Sequence, residues 1–348
     1  MNARLAVETL AARAASKLSR LAGAGGGTTL PGKLLWKLDP GAIDALAARL
    51  PDGVAVVSAT NGKTTTTAMV AAILEPRRRL AWNRSGANLV SGVASTLLAE
   101  RQAELGLLEV DEGALPEIVR RVRPRAVLLG NLFRDQLDRY GELESLADDW
   151  AEIVAARSGH SALVLNADDP LIADLGRDRE LRPRPDVTYF GIEDRSQAVS
   201  EFQHAFDAKH CRRCGAPYRY ARAFVGHLGH YECPNCAANR PAPAVAATRI
   251  ELDGMRGSRV DVTTPAGDLR LDLPLPGLYN VYNALAALAA ALRMGVSPER
   301  AVQGLHAVEA AFGRVETVQV AGAPVSILLI KNPAGANEVL RTLVLEAD

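Results

Sequence analysis

Short apolar runs alternate with amphipathic stretches along most of the chain. Val54, Ala55, Val56 and Val57 form an unbroken apolar, valine-rich run, the pattern of a strand buried on both faces. The same pattern predicts strands over 80–82, 105–110, 126–129 and 161–165. Helical periodicity predicts helices over 64–74, 89–101, 116–122 and 143–156. Strands alternating with helices in this way mean an α/β fold with a mainly parallel sheet, whose ligands bind at the carboxyl ends of the strands. A helical stretch punctuated by Asp39-Pro40 and Asp52-Gly53 precedes the first strand. From about residue 194 to 243 the alternation stops, which marks an insertion. The chain then resumes with β-rich segments over 249–252, 260–263 and 269–273, an alanine-rich helix ending at Met294, and a strand over 325–330. One strand–helix unit of about 25 residues buries too little apolar surface to be a domain. The expected layout is therefore a helical segment at 1–50, a central domain at 51–320, and the incomplete start of a C-terminal domain at 321–348.

The segment after the 54–57 run carries the first candidate chemistry. Ser58-Ala59-Thr60-Asn61-Gly62-Lys63-Thr64-Thr65 leads from a strand into a helix. Gly62 has no Cβ, so backbone N–H groups can approach phosphate oxygens. Lys63 supplies a cation for the β- and γ-phosphates and Thr64 a hydroxyl for Mg²⁺, while the helix directs its positive end at the anion. The first glycine of the usual phosphate-loop pattern is replaced by Val57. Glu109 falls at the end of a strand expected to run parallel to the first, where its carboxylate can reach a metal held by Thr64. Asp111 and Glu112 are alternatives from the same turn.

Composition narrows the class. Lys+Arg 40 against Asp+Glu 40 leaves no net charge, so nothing global draws the chain to nucleic acid or an anionic membrane. Hydrophobic content of 48% with 5% aromatic suits an Ala/Leu/Val-rich α/β protein, and no apolar run approaches the roughly 18 residues of a spanning helix. The first 27 residues carry Arg4, Arg13, Lys17 and Arg20 among alanines and leucines. They lack the apolar core of a secretory signal and read as an amphipathic surface helix, with membrane docking as the alternative. The basic residues are mostly arginine; the lysines are Lys17, Lys33, Lys37, Lys63, Lys209 and Lys331.

The cysteines are clustered. Cys211-Arg212-Arg213-Cys214 and Cys233-Pro234-Asn235-Cys236 form two C-x-x-C knuckles with 18 residues between them, the spacing of a closed, structural four-thiolate zinc site. Two disulfides are the alternative. His210, His227 and His230 read as surface residues or as neighbours of the ligands. Arg212, Arg213, Arg219 and Arg222, interleaved with Tyr218, Tyr220 and Phe224, would suit a nucleic-acid face on the zinc ribbon or a solvated basic face.

Together the motifs resemble the Mur ligase superfamily over roughly residues 50–316. They are A-T-N-G-K-T-T at 59–65, L-E-V-D-E at 108–112, N-L-F-R-D-Q-L-D-R-Y-G-E at 131–142, L-N-A-D-D-P at 165–170, G-L-Y-N-V-Y-N-A-L-A-A at 277–287 and F-G-R-V-E at 312–316. The four-cysteine insertion at about 200–243 and K-N-P-A-G-A-N-E at 331–338 are similar to the MurT-type branch, the ligase-like subunits of lipid II isoglutaminyl synthase. The resemblance implies a cytoplasmic enzyme working at the inner face of the membrane. Its chemistry would be ATP-dependent amidation of the D-glutamate α-carboxylate in the lipid II stem peptide, through an acyl phosphate, in peptidoglycan synthesis. Ammonia would come from a glutamine amidotransferase partner of the GatD type, in a heterodimer. With all four cysteines assigned to zinc, no glutaminase nucleophile remains in this chain, which is consistent with a separate ammonia source.

Carried over by motif, Asn61, Gly62, Lys63, Thr64, Thr65, Asn280 and Arg314 would bind ATP. Thr64 and Glu109 would hold Mg²⁺, with Lys63 and Glu109 catalytic. Two departures from the wider superfamily stand out: Gln136 replaces a frequent histidine, and no lysine lies between Lys63 and Lys209 to be carbamylated. A Mur-type ligase of the folylpolyglutamate or cyanophycin type, and a zinc-ribbon ATPase that binds nucleic acid, are the alternative functions.

Overall fold

The computed structural model describes residues 29–135, 143–157, 161–199, 206–308, 315–320 and 323–347. The helix expected in the first 27 residues, Gln136 and Arg314 lie outside the described residues. Two short helices, α1 (Leu30–Leu38) and α2 (Ala42–Ala48), come first. The α/β series follows: β1 (Val54–Ser58), α3 (Lys63–Leu74), β2 (Leu80–Trp82), α4 (Val90–Ala99), β3 (Leu105–Glu109), α5 (Leu115–Val122), β4 (Ala126–Leu129), α6 (Leu143–Ala156), β5 (Ala162–Asn166), α7 (Pro170–Leu175) and β6 (Val187–Ile192). A hairpin of β7 (Arg219–Val225) and β8 (Leu228–Glu232) interrupts the series. The chain continues through β9 (Val245–Asp253), β10 (Gly257–Thr264), β11 (Gly267–Leu273), α8 (Leu278–Arg293), α9 (Pro298–His306), β12 (Val315–Val320), β13 (Ala323–Leu328) and α10 (Pro333–Ala347).

Nine strands make one sheet in the order β11-β10-β9-β6-β5-β4-β1-β3-β2. The strands from β2 to β9 in that order pair in parallel, and β9, β10 and β11 close the far side as an antiparallel meander. Strand β1 sits between β3 and β4, where the order of the sheet reverses, so its carboxyl end opens into the crevice such sheets use for ligands.

Both faces of the sheet are covered, which is why the parallel strands read as continuous apolar runs. On one face Val54 and Val56 pack with residues of α1, α2, α4, α5 and α6, among them Leu35, Ile43, Leu97, Ile118 and Trp150. On the other, Ala55 and Val57 share a core with Met69, Val70 and Ile73 of α3 and with the buried Leu278–Ala291 stretch of α8. The alanines of α8 keep that helix thin enough to lie between the sheet and its neighbours.

Several elements departed from the expected pattern. β6, β7, β8 and β12 were not anticipated. β6 begins with half-buried positions and contains Gly191, and β7 mixes arginine, tyrosine and alanine, so neither presents a clear apolar run. β9 starts at Val245, four residues before the expected strand, because Val245, Ala246 and Ala247 pair with β6. The final strand, expected over 325–330, is β13 at Ala323–Leu328, paired with β12.

Candidate nucleotide site and four-cysteine centre

The turn after β1 is built around Gly62, whose φ of +84° belongs to the left-handed region that favours glycine. A Cβ there would stand 2.1 Å from Asn283 Oδ1, so the position also requires close approach of backbone to α8. Asn283 accepts from Thr66 Oγ1 at 3.1 Å and donates to Asn280 Oδ1 at 3.0 Å; Asn280 donates to the Pro276 carbonyl at 2.8 Å. The i,i+3 pair Asn280/Asn283 therefore presents one amide face of α8 to the loop. On the opposite side, Asn131 Oδ1 accepts from Asn61 N–H at 2.9 Å and its amide donates to Asn61 O at 3.0 Å. Asn332, just before α10, exchanges hydrogen bonds with the Asn61 side chain at 3.1 and 3.3 Å.

These groups enclose one cavity of about 120 Å³. Asn61, Gly62, Thr64, Thr65 and Asn280 line it, as do Asn131, Asn283 and Lys331. Val225 and Leu228, flanking the tip of the inserted hairpin, form part of the wall, and Glu338 and Val339 of α10 another part. Five of the seven expected nucleotide-contact residues thus meet at one site. Arg314 lies outside the described residues, and Lys63 is directed elsewhere.

The Lys63 ammonium is buried. It donates to the carbonyls of Ala59 at 2.5 Å and Thr60 at 3.4 Å and pairs with Glu112 Oε2 at 2.7 Å. Glu112, one of the alternatives for metal, is thereby placed with the lysine. Trp150 of α6 donates to the Glu112 carbonyl at 3.0 Å and fixes that loop. Asp111, the other alternative, accepts from Gly113 N–H at 3.3 Å.

Glu109 ends β3 beside the loop, as β1–β3 pairing requires, with Val57 opposite it. Its Oε1 accepts from Thr64 Oγ1 at 3.2 Å and from Asn88 Nδ2 at 3.0 Å, and its backbone exchanges hydrogen bonds with the Asn83 amide. A hydroxyl and a carboxylate this close are a hard-oxygen pair suited to Mg²⁺, which takes few protein ligands and retains waters. A Cβ on Gly86 would stand 3.6 Å from Thr64 Oγ1 and 3.8 Å from Glu109 Oε2, so the glycine leaves room over the pair.

The four cysteines converge. Their Sγ atoms lie within 4.8 Å of one another, with Cys211–Cys236 at 3.5 Å, Cys214–Cys233 at 3.4 Å and Cys233–Cys236 at 3.6 Å. All four are free thiols, far beyond the roughly 2.05 Å of a disulfide bond, which removes the disulfide alternative. A tetrahedron with Zn–S bonds of about 2.3 Å has sulfurs about 3.8 Å apart, so the cluster fits zinc. The Ala216 and Asn235 hydrogen bonds hold the Cys214 thiol down to about 6, while burial pushes Cys236 up to about 12.

The four-cysteine hairpin is fastened to the central sheet. Arg240 Nε donates to the buried Asp168 at 2.6 Å, and Tyr282 of α8 donates to the other Asp168 oxygen at 2.7 Å. Arg212 pairs with Asp148 at 2.6 Å and Asp174 at 2.9 Å, and Arg213 pairs with Asp174 as well. Tyr218, Tyr220 and Tyr231 pack edge-on or tilted among themselves, and Phe224 is fully buried. The expected alternative of a basic, aromatic face for nucleic acid is thus weakened: two of its arginines serve internal ion pairs, Phe224 is core, and Tyr218 and Tyr220 are half-buried. His227, expected at the surface or beside the ligands, is buried on Phe133 at 4.6 Å between ring centres and lies 3.4 Å from Asp169 Oδ2. His210 is exposed, and His230 Nε2 lies 2.9 Å from the Ile192 carbonyl.

Asn131, Asn283, Asn88 and Glu338 were not singled out from sequence. Asn131 and Asn283 belong to the quoted motifs, but only the fold shows that their amides face the phosphate loop.

Residues 57–242 match the Mur ligase middle domain. The chain belongs to the Mur ligase family and is a Mur-type ligase. Over nearly its whole length it is similar to MurT subunits. The lipid II isoglutaminyl synthase (glutamine-hydrolyzing) subunit MurT of Streptococcus pneumoniae is 32% identical, covering 99% of this chain and 75% of that protein. The MurT subunit of Staphylococcus aureus (strain N315) is 28% identical, covering 94% and 72%. Among solved structures, a pseudomurein peptide ligase type C from Methanothermus fervidus superposes with a TM-score of 0.69 at 26% identity. That match covers 86% of this chain, which spans 58% of the archaeal ligase. Among the described residues no helix is long and apolar enough to cross a membrane.

Proposed function

We propose that this chain is the ATP-dependent, amide-forming subunit of a lipid II amidating enzyme, acting in the cytoplasm at the inner membrane face. The observation that carries the reading is the similarity to MurT subunits over 99% of the chain, with the phosphate-loop residues drawn into one cavity. The substrate would be the α-carboxylate of D-glutamate in the lipid II stem peptide. The nitrogen would come from a GatD-type glutamine amidotransferase bound as a heterodimer.

A carboxylate is a poor electrophile and must be activated. Its oxygen attacks the γ-phosphorus of ATP, the bond from that phosphorus to the β-phosphate oxygen breaks, and ADP leaves. Ammonia then attacks the acyl carbon, the carbon–oxygen bond to phosphate breaks, and a proton is lost to give the amide. The chain's part is to hold crowded anions in fixed geometry. Asn61, Gly62, Thr64 and Thr65 would receive the phosphates at the N-terminus of α3, with Lys63 neutralising them once it is released from Glu112. Asn280 would contact the nucleotide from α8. Thr64 and Glu109 would hold Mg²⁺, which would neutralise phosphate oxygens as charge shifts to the leaving group. Cys211, Cys214, Cys233 and Cys236 would hold zinc in a structural role.

The test is ATP turnover with purified lipid II and ammonium chloride in the absence of a partner, followed by mass spectrometry of the stem peptide. A mass lower by about 1 Da, carboxylic acid to amide, is the expected result. ATP binding without amidation would overturn the substrate assignment or place a needed part of the enzyme outside this chain.

A further inference from the structure

One buried acid lies on the wall of this cavity. Glu338 of α10 is 1% exposed, and among the described residues neither of its carboxylate oxygens takes part in a hydrogen bond. Arg341 forms a long ion pair with it, 4.0 Å from Oε1, and gives its hydrogen bonds to the backbone carbonyls of Gln197 at 3.0 Å and Phe224 at 3.4 Å. Buried polar groups in folded proteins almost always have partners, and a carboxyl deprived of donors is strongly unfavourable. A ligand that brings donors would account for it.

The position of Glu338 says which part of a nucleotide it meets. The phosphate end of the cavity is marked by Gly62 and Thr64, with Asn332 paired to Asn61 there. Glu338 follows Asn332 by six residues, roughly 9 Å farther along the helix axis. The same cavity has apolar lining from Leu275, Val339 and Leu228 of the four-cysteine hairpin, and the Tyr279 ring lies close enough to Glu338 to feel its charge. That is a slot for a flat ring with one polar contact on its edge.

We propose that Glu338 reads the base of the bound nucleotide by accepting a hydrogen bond from an exocyclic amine, the 6-amino group in adenine; this rests on the nucleotide-binding reading above. A purine with a 6-oxo group turns an acceptor toward the carboxylate and is rejected, because the acid is again left unpaired. Burial pushes the Glu338 carboxyl up to about 7, in line with a site short of donors until the ligand arrives.

The experiment is equilibrium binding of ATP, ITP and 2′-deoxy-ATP to the full 348-residue chain and to Glu338→Gln at pH 8, with circular dichroism as the folding control. The native protein is expected to prefer ATP over ITP by about tenfold or more, and Glu338→Gln to narrow that preference to within about threefold, since the amide can donate to a 6-oxo group. The ratio of ATP to 2′-deoxy-ATP is expected to be unchanged. Equal loss of ATP and ITP in the variant, or a change confined to 2′-deoxy-ATP, would overturn base reading and assign Glu338 to packing or to the ribose. If the native chain binds none of the three, the nucleotide-binding reading fails and base reading with it, an outcome distinct from the previous one. Should Glu338→Gln not fold, N6,N6-dimethyl-ATP tests the native protein alone: binding about tenfold weaker than ATP supports base reading, and equal binding overturns it.

Discussion

Lys63 Nζ stands 2.7 Å from Glu112 Oε2, with both side chains buried at the end of the phosphate loop. Lys63 follows the glycine that shapes the turn, and Glu112 follows the β3 end that brings Glu109 to Thr64. The cation and the candidate metal carboxylate are thus held apart by two residues of the same turn. A triphosphate entering the loop would take over the role that Glu112 plays toward the lysine.

Removing that acid should expose the exchange. Glu112→Ala leaves a buried ammonium with only carbonyl partners and is expected to lower stability by about 3 kcal/mol. Saturating ATP is expected to restore more stability to the variant than it adds to the native chain, because the phosphates supply the missing negative charge. Urea unfolding with and without ATP measures both. Equal stabilisation of the two proteins by ATP would contradict the exchange.

Glycines 62 and 215 separate strain from crowding. Both have positive φ, +84° and +74°, but a Cβ at Gly62 meets Asn283 at 2.1 Å, whereas no atom of the described residues lies within 4 Å of one at Gly215. Gly62→Ala is expected to weaken ATP binding by tenfold or more. Gly215→Ala should cost only about 1 kcal/mol of backbone strain and leave ATP binding intact. Thermal unfolding and nucleotide titration distinguish them.

Zinc removal should reach the nucleotide cavity. The buried cluster around the knuckles consists of Cys211, Cys233 and Ala238 with a few half-buried neighbours, too little apolar surface to fold without metal. Because Val225 and Leu228 belong to the cavity wall, chelation or Cys233→Ser is expected to lower ATP affinity severalfold as well as the unfolding temperature. Rebinding of zinc at pH 7 should release protons. Unchanged ATP affinity in the zinc-free protein would show that the hairpin holds its place without metal.

Glu338 makes stability depend on pH in a definite direction. Its carboxyl rises from 4.5 to about 7 on folding because it is desolvated. Between those values the folded chain binds more protons than the unfolded one. Stability contributed by the protonated acid is therefore complete below about 4.5 and is lost as pH rises through about 7, by roughly 3 kcal/mol for an independent site. The groups facing it are the Arg341 guanidinium, and Tyr279 and Tyr282, both shifted upward by burial and so neutral in this window. Glu338→Gln should flatten the unfolding free energy between pH 5 and 8 and be the more stable protein at pH 8. A variant with the native pH slope would rule this acid out as its source.

Much of the architecture was legible because it rests on local pattern. A strand buried on both faces must be apolar throughout, so β1, β3, β4 and β5 announced themselves, and the phosphate loop followed from Gly62-Lys63-Thr64 at the end of the first. The knuckle spacing identified the cysteines because two close pairs suffice to surround one ion. Strands β6 to β8 escaped notice because their residues are half-buried or serve the hairpin, where burial follows from what packs against them.

The α/β class, the phosphate loop and the four-cysteine centre are written in local sequence, since each depends on residues near one another in the chain. Long-range packing sets the rest: Glu112 meets Lys63 while Glu109 meets Thr64, Asn283 sits against Gly62 from more than two hundred residues away, and the four-cysteine hairpin and Glu338 share the cavity wall. Those relationships are set by strand order and helix docking. A side chain's partner across the sheet is fixed by packing among distant segments, which no local periodicity records.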